Sequence, residues 1–326
     1  MSNVIKDASK SHWVYKAPER MQPYLQLSRL DRPVGYWLLT LPGWIGLAFA
    51  SLGVGFAQSD LKWAVFILIG AVAMRGAGCT YNDIVDQDLD AQVDRTALRP
   101  LPAGAVTTKQ AWIWLFAQCG VGLVVLLCLP RLAQIIALAS IPLVAAYPFM
   151  KRITWWPQVW LGMTFNWAVL VAYAAKTGVV SGSLFILYLG LIFWTVGYDT
   201  IYACQDIEDD AMIGVKSTAR RFGSKLITGL SLSYLAAFIA ICVSVLFSLY
   251  ESDMGALIFF WAPILCALAG FGYHLNHQLK EMKTHGDTKA LVIFKSNFWA
   301  GIYLIIGLLI IGYTLHGNIF EDAPWL

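Results

Sequence analysis

The sequence predicts an all-α membrane protein, a bundle of about nine transmembrane helices. Three observations lead there. The 326 residues are 58% hydrophobic and only 13% charged, a balance foreign to water-soluble domains of this size. Apolar runs close to the ~20 residues that cross a bilayer recur nine times. Lys and Arg concentrate in alternate connections between those runs, as membrane topology requires.

In chain order the runs are Val34–Ala57, Trp63–Cys79, Ala111–Cys128, Leu132–Met150, Val159–Ala175, Val179–Tyr198, Leu226–Tyr250, Met254–Tyr273 and Phe298–His316. They take up most of the chain, which leaves no room for a separate soluble domain. Residues 1–33 are polar, carry Asp7, Glu19 and Asp31 among their basic residues, and resemble neither a signal peptide nor a transit peptide. The expected organisation is an N-terminal segment 1–33, a polytopic domain 34–316 and a short tail 317–326. Cys79, Cys119, Cys128, Cys204, Cys242 and Cys266 lie in or beside apolar runs without CxxC spacing, as small buried packers do. A net charge of +3 gives no footing for nucleic acid; the positions of the basic residues carry the information.

With nine spans the two ends lie on opposite sides. On the side of the N-terminus the tail and loops hold 19 Lys and Arg; the other side holds only Lys62, Arg131 and Lys176, and Arg75 lies inside the second span. The positive-inside rule then places the N-terminus in the cytoplasm and the C-terminus outside. The corresponding location is a bacterial inner membrane, or the mitochondrial inner membrane if the source is eukaryotic.

Two acidic stretches break the apolar pattern on that cytoplasmic side. Asn82 to Asp90 carries Asp83, Asp86, Asp88 and Asp90; later Asp206, Asp209 and Asp210 follow Tyr198 and Asp199. Asp86/Asp90 and Asp206/Asp210 are both four apart, and the pairs are offset by 120 residues. An offset of four spans preserves orientation, so spans one to four and five to eight read as two parallel four-helix units with one helix added.

Carboxylates at i and i+4 share a helix face about 5–6 Å apart and, ionised, repel by roughly 3 kcal/mol at an effective dielectric near 20. They need a cation or must protonate. Oxygen-only ligands suit a hard ion, Mg²⁺ in particular, whose shell is completed by water and substrate phosphate. Arg95, Arg99, Lys151, Arg152 and Lys216 lie at the same level, where a diphosphate would need them. Lys216 reads as a phosphate contact, whereas Arg99, Lys109, Arg220, Arg221 and Lys225 read better as ordinary positive-inside residues. Arg75 stands seven residues before Asn82 in an apolar span, where an arginine costs about 2.5–3.5 kcal/mol to insert. It either neutralises the acids or, the sharper reading, holds a substrate carboxylate in bidentate fashion.

The residues carry a family resemblance. "NDIVDQDLDAQVDRTALRPLPAGAVT" resembles the first signature of the UbiA-type intramembrane aromatic prenyltransferases, and "YDTIYACQDIEDDAMIGVKSTARRFG" their second. "YPFMKRITWWPQVWLGMTFNWAVL" between them is similar to the subgroup that prenylates 4-hydroxybenzoate for ubiquinone. The resemblance implies a helix bundle with a central cavity open to lipid. It also implies transfer of a polyprenyl group from polyprenyl diphosphate to the ring carbon ortho to the hydroxyl of 4-hydroxybenzoate. By the matching positions, Asn82, Asp86, Asp90, Asp206 and Asp210 hold Mg²⁺, Arg75 faces the aromatic acid, and Lys151, Arg152 and Lys216 lie near the diphosphate. Tyr198 and Asp199 match the start of the second motif. Asp83, Asp88 and Asp209 have no assigned part, and Asp88 reads as solvated.

Two other readings compete. A different aromatic or porphyrin acceptor is compatible with the same residues, since Arg75 suits many carboxylates. A cation-coupled transporter would place its acids near the bilayer midplane on broken helices, whereas these cluster at span ends beside basic residues. His274 and His277, three apart after the eighth run, read as a solvated helix end rather than a metal or haem site.

Overall fold

The structure, a computed structural model, describes residues 12–92, 96–212, 214–252 and 261–316, with the side chains of 209, 210 and 261–263 excepted. Among the described residues all regular structure is helical. A short helix α1 (Gln22–Leu27) precedes α2 (Val34–Val54), α3 (Ser59–Val85), α4 (Gln87–Asp90), α5 (Thr108–Leu127), α6 (Arg131–Ala139), α7 (Ile141–Ile153), α8 (Pro157–Thr177) and α9 (Gly182–Ala203). Then follow α10 (Ile207–Met212), α11 (Thr218–Phe222), α12 (Leu226–Glu251), α13 (Trp261–His285) and α14 (Ala290–His316).

Every expected apolar run lies on helix where it is described, but the boundaries and the count differ. Seven stretches are long and apolar enough to cross a membrane, so the expected nine is not reproduced. One of the seven, Ile264–His316, contains both α13 and α14, and α8, which carries Gln158, Thr164, Asn166 and Lys176, is not among them. The fourth run is two helices, because Pro142 at the start of α7 has no N–H to continue α6 and its ring opposes the carbonyl four residues back. Helix α3 runs six residues beyond the expected end at Cys79, taking Asn82 and Asp83 into regular helix. Helix α13 continues to His285, so His274 is not at a helix end: its Nε2 lies 3.1 Å from Ser296 Oγ on α14.

The chain groups into two compact units, Met1–Leu39 with Leu68–Cys128, and Thr40–Ile67 with Leu129–Leu326. This division does not follow the expected pair of four-helix units, since its boundary passes through α2 and α3; packing, not the sequence offset, decides it.

The first unit is built on the N-terminal segment. Leu27 at the end of α1 is buried with Leu101, Val106 and Ala111, and Tyr24, Ile84 and Trp114 pack around them. Ser28 Oγ donates to Gln118 Oε1 (3.0 Å) and accepts from Trp114 Nε1 (2.8 Å). Thr107 caps α5 reciprocally with Gln110, satisfying two otherwise orphaned amides.

In the second unit α9 lies between α8 and α12. Close approach to α12 is possible because Gly190 has no side chain: a Cβ there would stand 3.0 Å from Ile241 Cγ1 and 3.2 Å from the Ala237 carbonyl oxygen. Such small contacts drive helix association in lipid. Asn166 of α8 donates to Gly162 O, Leu191 O and Thr195 Oγ1, and Trp194 donates to Asn297 of α14. Glu251 at the end of α12 accepts from the Gly182 and Ser183 amides that begin α9, where a carboxylate suits the helix dipole. Lys176 of α8 donates to Asp60 Oδ2 and Ser51 Oγ, each at 2.6 Å, fastening the α2–α3 connection.

Candidate active site

Asn82 ends its turn of α3 and Asp86 stands at the bend before α4, with φ −100° and ψ 8°. Helical hydrogen bonding survives that bend: the Asp86 amide donates to Asn82 O at 2.9 Å, and the Asp90 amide to Asp86 O at 2.8 Å. Asn82, Asp86 and Asp90 are thereby one turn apart each, the register the sequence requires for a shared face. Asp86 and Asp90 are buried, 1% and 7% exposed, while Asp88 is exposed, as expected. The following loop is folded back on the motif. Thr96 Oγ1 donates to Asp90 O (2.7 Å), Leu101 is buried, and Gly104 adopts a φ of +72°, which favours glycine. These contacts give physical content to the stretch from Arg99 to Gly104.

Asp83, left without a part by the sequence, is fully buried. Its Oδ1 takes a 2.6 Å ion pair from Arg29 Nη2 and lies 3.4 Å from Arg99 Nη1, and the same Arg99 nitrogen is 2.5 Å from Asp90 Oδ2. Arg99 is therefore no ordinary positive-inside residue but a member of the acidic cluster. Arg29, counted in the sequence only among the tail's cations, is another. Burial works against the charged Arg29 guanidinium, yet Asp83 beside it more than compensates, so its pKa is raised. The Asp90 carboxyl is pushed up by burial; Arg99 pulls it down, and Asp83 and Asp86 push it up again.

The oxygen-only donors of this cluster fit a hard divalent cation. Asp83 Oδ2 is buried with no hydrogen-bond partner, and Asp83, Asp86 and Asp90 are all buried, a concentration of carboxylates that suits a nearby cation. Among the described residues no three His, Cys, Asp or Glu groups converge on one point. Of the expected carboxylates, Asp90 turns to Arg99, and the Asp210 side chain lies outside the described residues. An Mg²⁺ held by these oxygens would take the rest of its shell from phosphate and water.

Arg75 is half buried on α3, two turns before Asn82. Its guanidinium lies over Gly35 at the start of α2: a Cβ added to Gly35 would be 2.9 Å from Nε and 3.2 Å from Nη2. Glycine at that position is what lets the side chain lie there.

The second acidic group is in the other unit. Asp199 is on α9, Asp206 closes the 3-10 turn Cys204–Asp206, and the backbone of Asp210 belongs to α10. The side chains of Asp209 and Asp210 are outside the described residues, as are Arg95 and Ile213. Tyr198 is turned into the interior, its ring 5.4 Å from that of Trp194 and 5.9 Å from that of Phe294. The basic residues do come together: the Lys216 amide donates to Lys151 O (2.9 Å) and Lys216 Nζ to Ile153 O (3.0 Å), which sets Lys151, Arg152 and Lys216 around the end of α7. One of the three ammonium hydrogens is so used. The KSTA signature has a local reason as well. Ser217 caps α11, and Thr218, bonded through its amide to Gln158 Oε1 at 3.1 Å, and Ala219 are buried. Lys109, Arg221 and Lys225 are exposed; Arg220 donates to Val215 O and stacks over Trp155.

The chain is 39% identical over 315 residues to the human mitochondrial 4-hydroxybenzoate polyprenyltransferase, covering 95% of this chain and 79% of that one. It is 41% identical to the Bos taurus protein of the same name, over 91% and 77% of the two chains. Among solved structures it resembles the apo UbiA homolog of Aeropyrum pernix K1, with a TM-score of 0.64 at 23% identity over 85% of this chain and 98% of that one. It also resembles an Archaeoglobus fulgidus UbiA homolog bound to DMAPP and Mg²⁺, with a TM-score of 0.57 at 18% identity over 86% and 98%. Residues 39–302 match the UbiA prenyltransferase family, and the chain, an all-helical multi-pass membrane protein, belongs to that family.

Proposed function

We propose that the protein transfers a polyprenyl group from polyprenyl diphosphate to the ring carbon ortho to the hydroxyl of 4-hydroxybenzoate, giving 3-polyprenyl-4-hydroxybenzoate and diphosphate for ubiquinone synthesis. The observation that carries this reading is the order of groups along α3. Arg75 and Asn82 are seven residues apart, so they share a face and are separated by about 10 Å of helix rise. That leaves room for a benzoate ring between a guanidinium holding its carboxylate and carboxylates holding the diphosphate end of the donor. The names of the 39–41% identical relatives support the acceptor.

In this reading Asn82, Asp86 and Asp90 of the first motif and Asp206 and Asp210 of the second hold Mg²⁺ at the diphosphate. When bound, Mg²⁺ screens the charge that develops on the leaving diphosphate. Lys151, Arg152 and Lys216 share that charge through N–H donors, and Asp199 and Tyr198 shape the wall beside them. Arg75 orients the acceptor so that the carbon ortho to its hydroxyl meets the allylic carbon. Lipid and apolar helix faces keep water from the allylic cation. The N-terminus is proposed to face the cytoplasm, as the charge bias requires.

The test is incubation of membranes containing the protein with Mg²⁺, a polyprenyl diphosphate and a panel of aromatic acids, followed by mass spectrometry of the lipid extract. Prenylated 4-hydroxybenzoate is expected as the main product, and Asp86→Asn should abolish most of it while the protein still inserts. Transfer to another acceptor alone would correct the substrate, and full turnover after thorough chelation would remove the metal from the reading.

A further inference from the structure

Arg29 lies outside residues 39–302 that match the family, yet the first unit is folded to present it to the acidic motif. Among the described residues it is the one non-glycine with a positive φ, 55°. The bonds around it show why. The Arg29 amide donates to Gln26 O (3.0 Å) and the Leu30 amide to Leu25 O (3.1 Å), the pattern that ends a helix with a left-handed residue, a place usually given to glycine. The two residues before it are pinned, Leu27 by burial and Ser28 by Trp114 and Gln118. The arginine keeps a disfavoured backbone because its side chain is engaged: Nη1 donates to Gln26 O (3.0 Å) and Nη2 to Asp83 Oδ1 (2.6 Å). Arg99 then spans from Asp83 to Asp90.

We propose that Arg29 and Asp83 are positioning residues of the transfer site: Arg29 fixes Asp83, Asp83 steadies Arg99, and Arg99 orients Asp90, so that the N-terminal segment sets the metal affinity of the first acidic motif. The inference rests on the metal–diphosphate reading above. Partners that orient metal ligands from behind typically change metal affinity 10–100-fold when removed. A clamp that merely held the N-terminal segment to α3 would change stability and leave metal affinity alone.

The experiment uses the full chain in nanodiscs. Bound Mn²⁺ is titrated by electron paramagnetic resonance with geranyl thiodiphosphate present, an analogue whose thioester-like sulfur bridge blocks transfer, and thermal stability is measured alongside. Arg29→Gly suits the backbone and removes the guanidinium. It strands the fully buried Asp83 and so lowers thermal stability as well; the deciding readout is Mn²⁺ affinity, expected to weaken by about 10–100-fold, and Arg29→Lys should recover part of it. Asp83→Asn, nearly isosteric, should weaken Mn²⁺ similarly and serves if the Arg29 variants do not fold. Wild-type Mn²⁺ affinity in both Arg29→Gly and Asp83→Asn, with Asp86→Asn strongly impaired, would overturn this inference alone. Wild-type affinity in Asp86→Asn would overturn the metal reading and this inference with it.

Discussion

The packing of Arg75 on Gly35 permits a test of the acceptor site that leaves the arginine in place. In Gly35→Ala the new methyl stands 2.9 Å from Nε, 3.2 Å from Nη2 and 3.4 Å from Cζ, inside the ~3.5–4.0 Å at which such atoms rest. The guanidinium, at the far end of a flexible chain, must withdraw by about 0.5–1 Å. A displacement near 1 Å in a positioning group costs up to about 10²-fold in rate, so kcat/KM for 4-hydroxybenzoate should fall by about 10–100-fold, or about 1.4–2.7 kcal/mol. The helix itself should not suffer, since alanine is about 0.5–1 kcal/mol better than glycine within one. Arg75→Ala should lose more, on the order of 3–5 kcal/mol, by leaving the acceptor carboxylate unpaired in a dry site. The assay is an acceptor titration at saturating prenyl diphosphate, repeated for the donor, on Gly35→Ala, Arg75→Ala and the double variant. If the methyl acts through the guanidinium, adding Gly35→Ala to Arg75→Ala should change little. Equal losses in both backgrounds would refute the coupling, and a defect confined to the diphosphate would show that Arg75 serves the acidic cluster instead.

Two further expectations concern stability. Lys176→Met strands Asp60, whose Oδ1 is already buried without a hydrogen-bond partner; with the Asp60 side chain 21% exposed, a loss of about 3 kcal/mol is expected, at the low end for a broken buried pair. Denaturant titration in mixed micelles checks it, and Lys176→Met/Asp60→Leu should recover much of the loss if the stranded charge is the cause. Gly190→Leu drives a side chain into Ile241 and the Ala237 carbonyl and should cost about 1–3 kcal/mol by overpacking α9 against α12; an unchanged unfolding midpoint would mean that the two helices separate freely.

The linear pattern was sufficient for several features because each depends on near neighbours or on partition into lipid. Helical class follows from apolar runs whose backbone must bond within itself. The face shared by Asn82, Asp86 and Asp90 follows from helical periodicity, and the bend at Asp86 does not disturb it. The solvated place of Asp88, which the family resemblance implied, is what the structure shows. Helix α3 outlasts its hydropathy, which stops at Cys79, because the helix continues to Val85 for as long as its polar residues find burial and partners.

What folding alone decided are the contacts between residues far apart in sequence. Asp83 and Asp88 are the same residue type a few positions apart, yet one is buried against Arg29 and the other is solvated; a separation of 54 positions between Arg29 and Asp83 leaves no periodic trace to read. Arg99 looks like any loop cation until the loop folds back through Thr96 and Leu101 and carries it to Asp90. Gly35 and Arg75 likewise meet only when α2 and α3 pack. Composition and spacing determined what this protein is made of and which chemistry it can support. Ion pairing and close packing depend on distances in space, so the partner of each charge, and with it the N-terminal segment's place in the site, was decided by the tertiary structure.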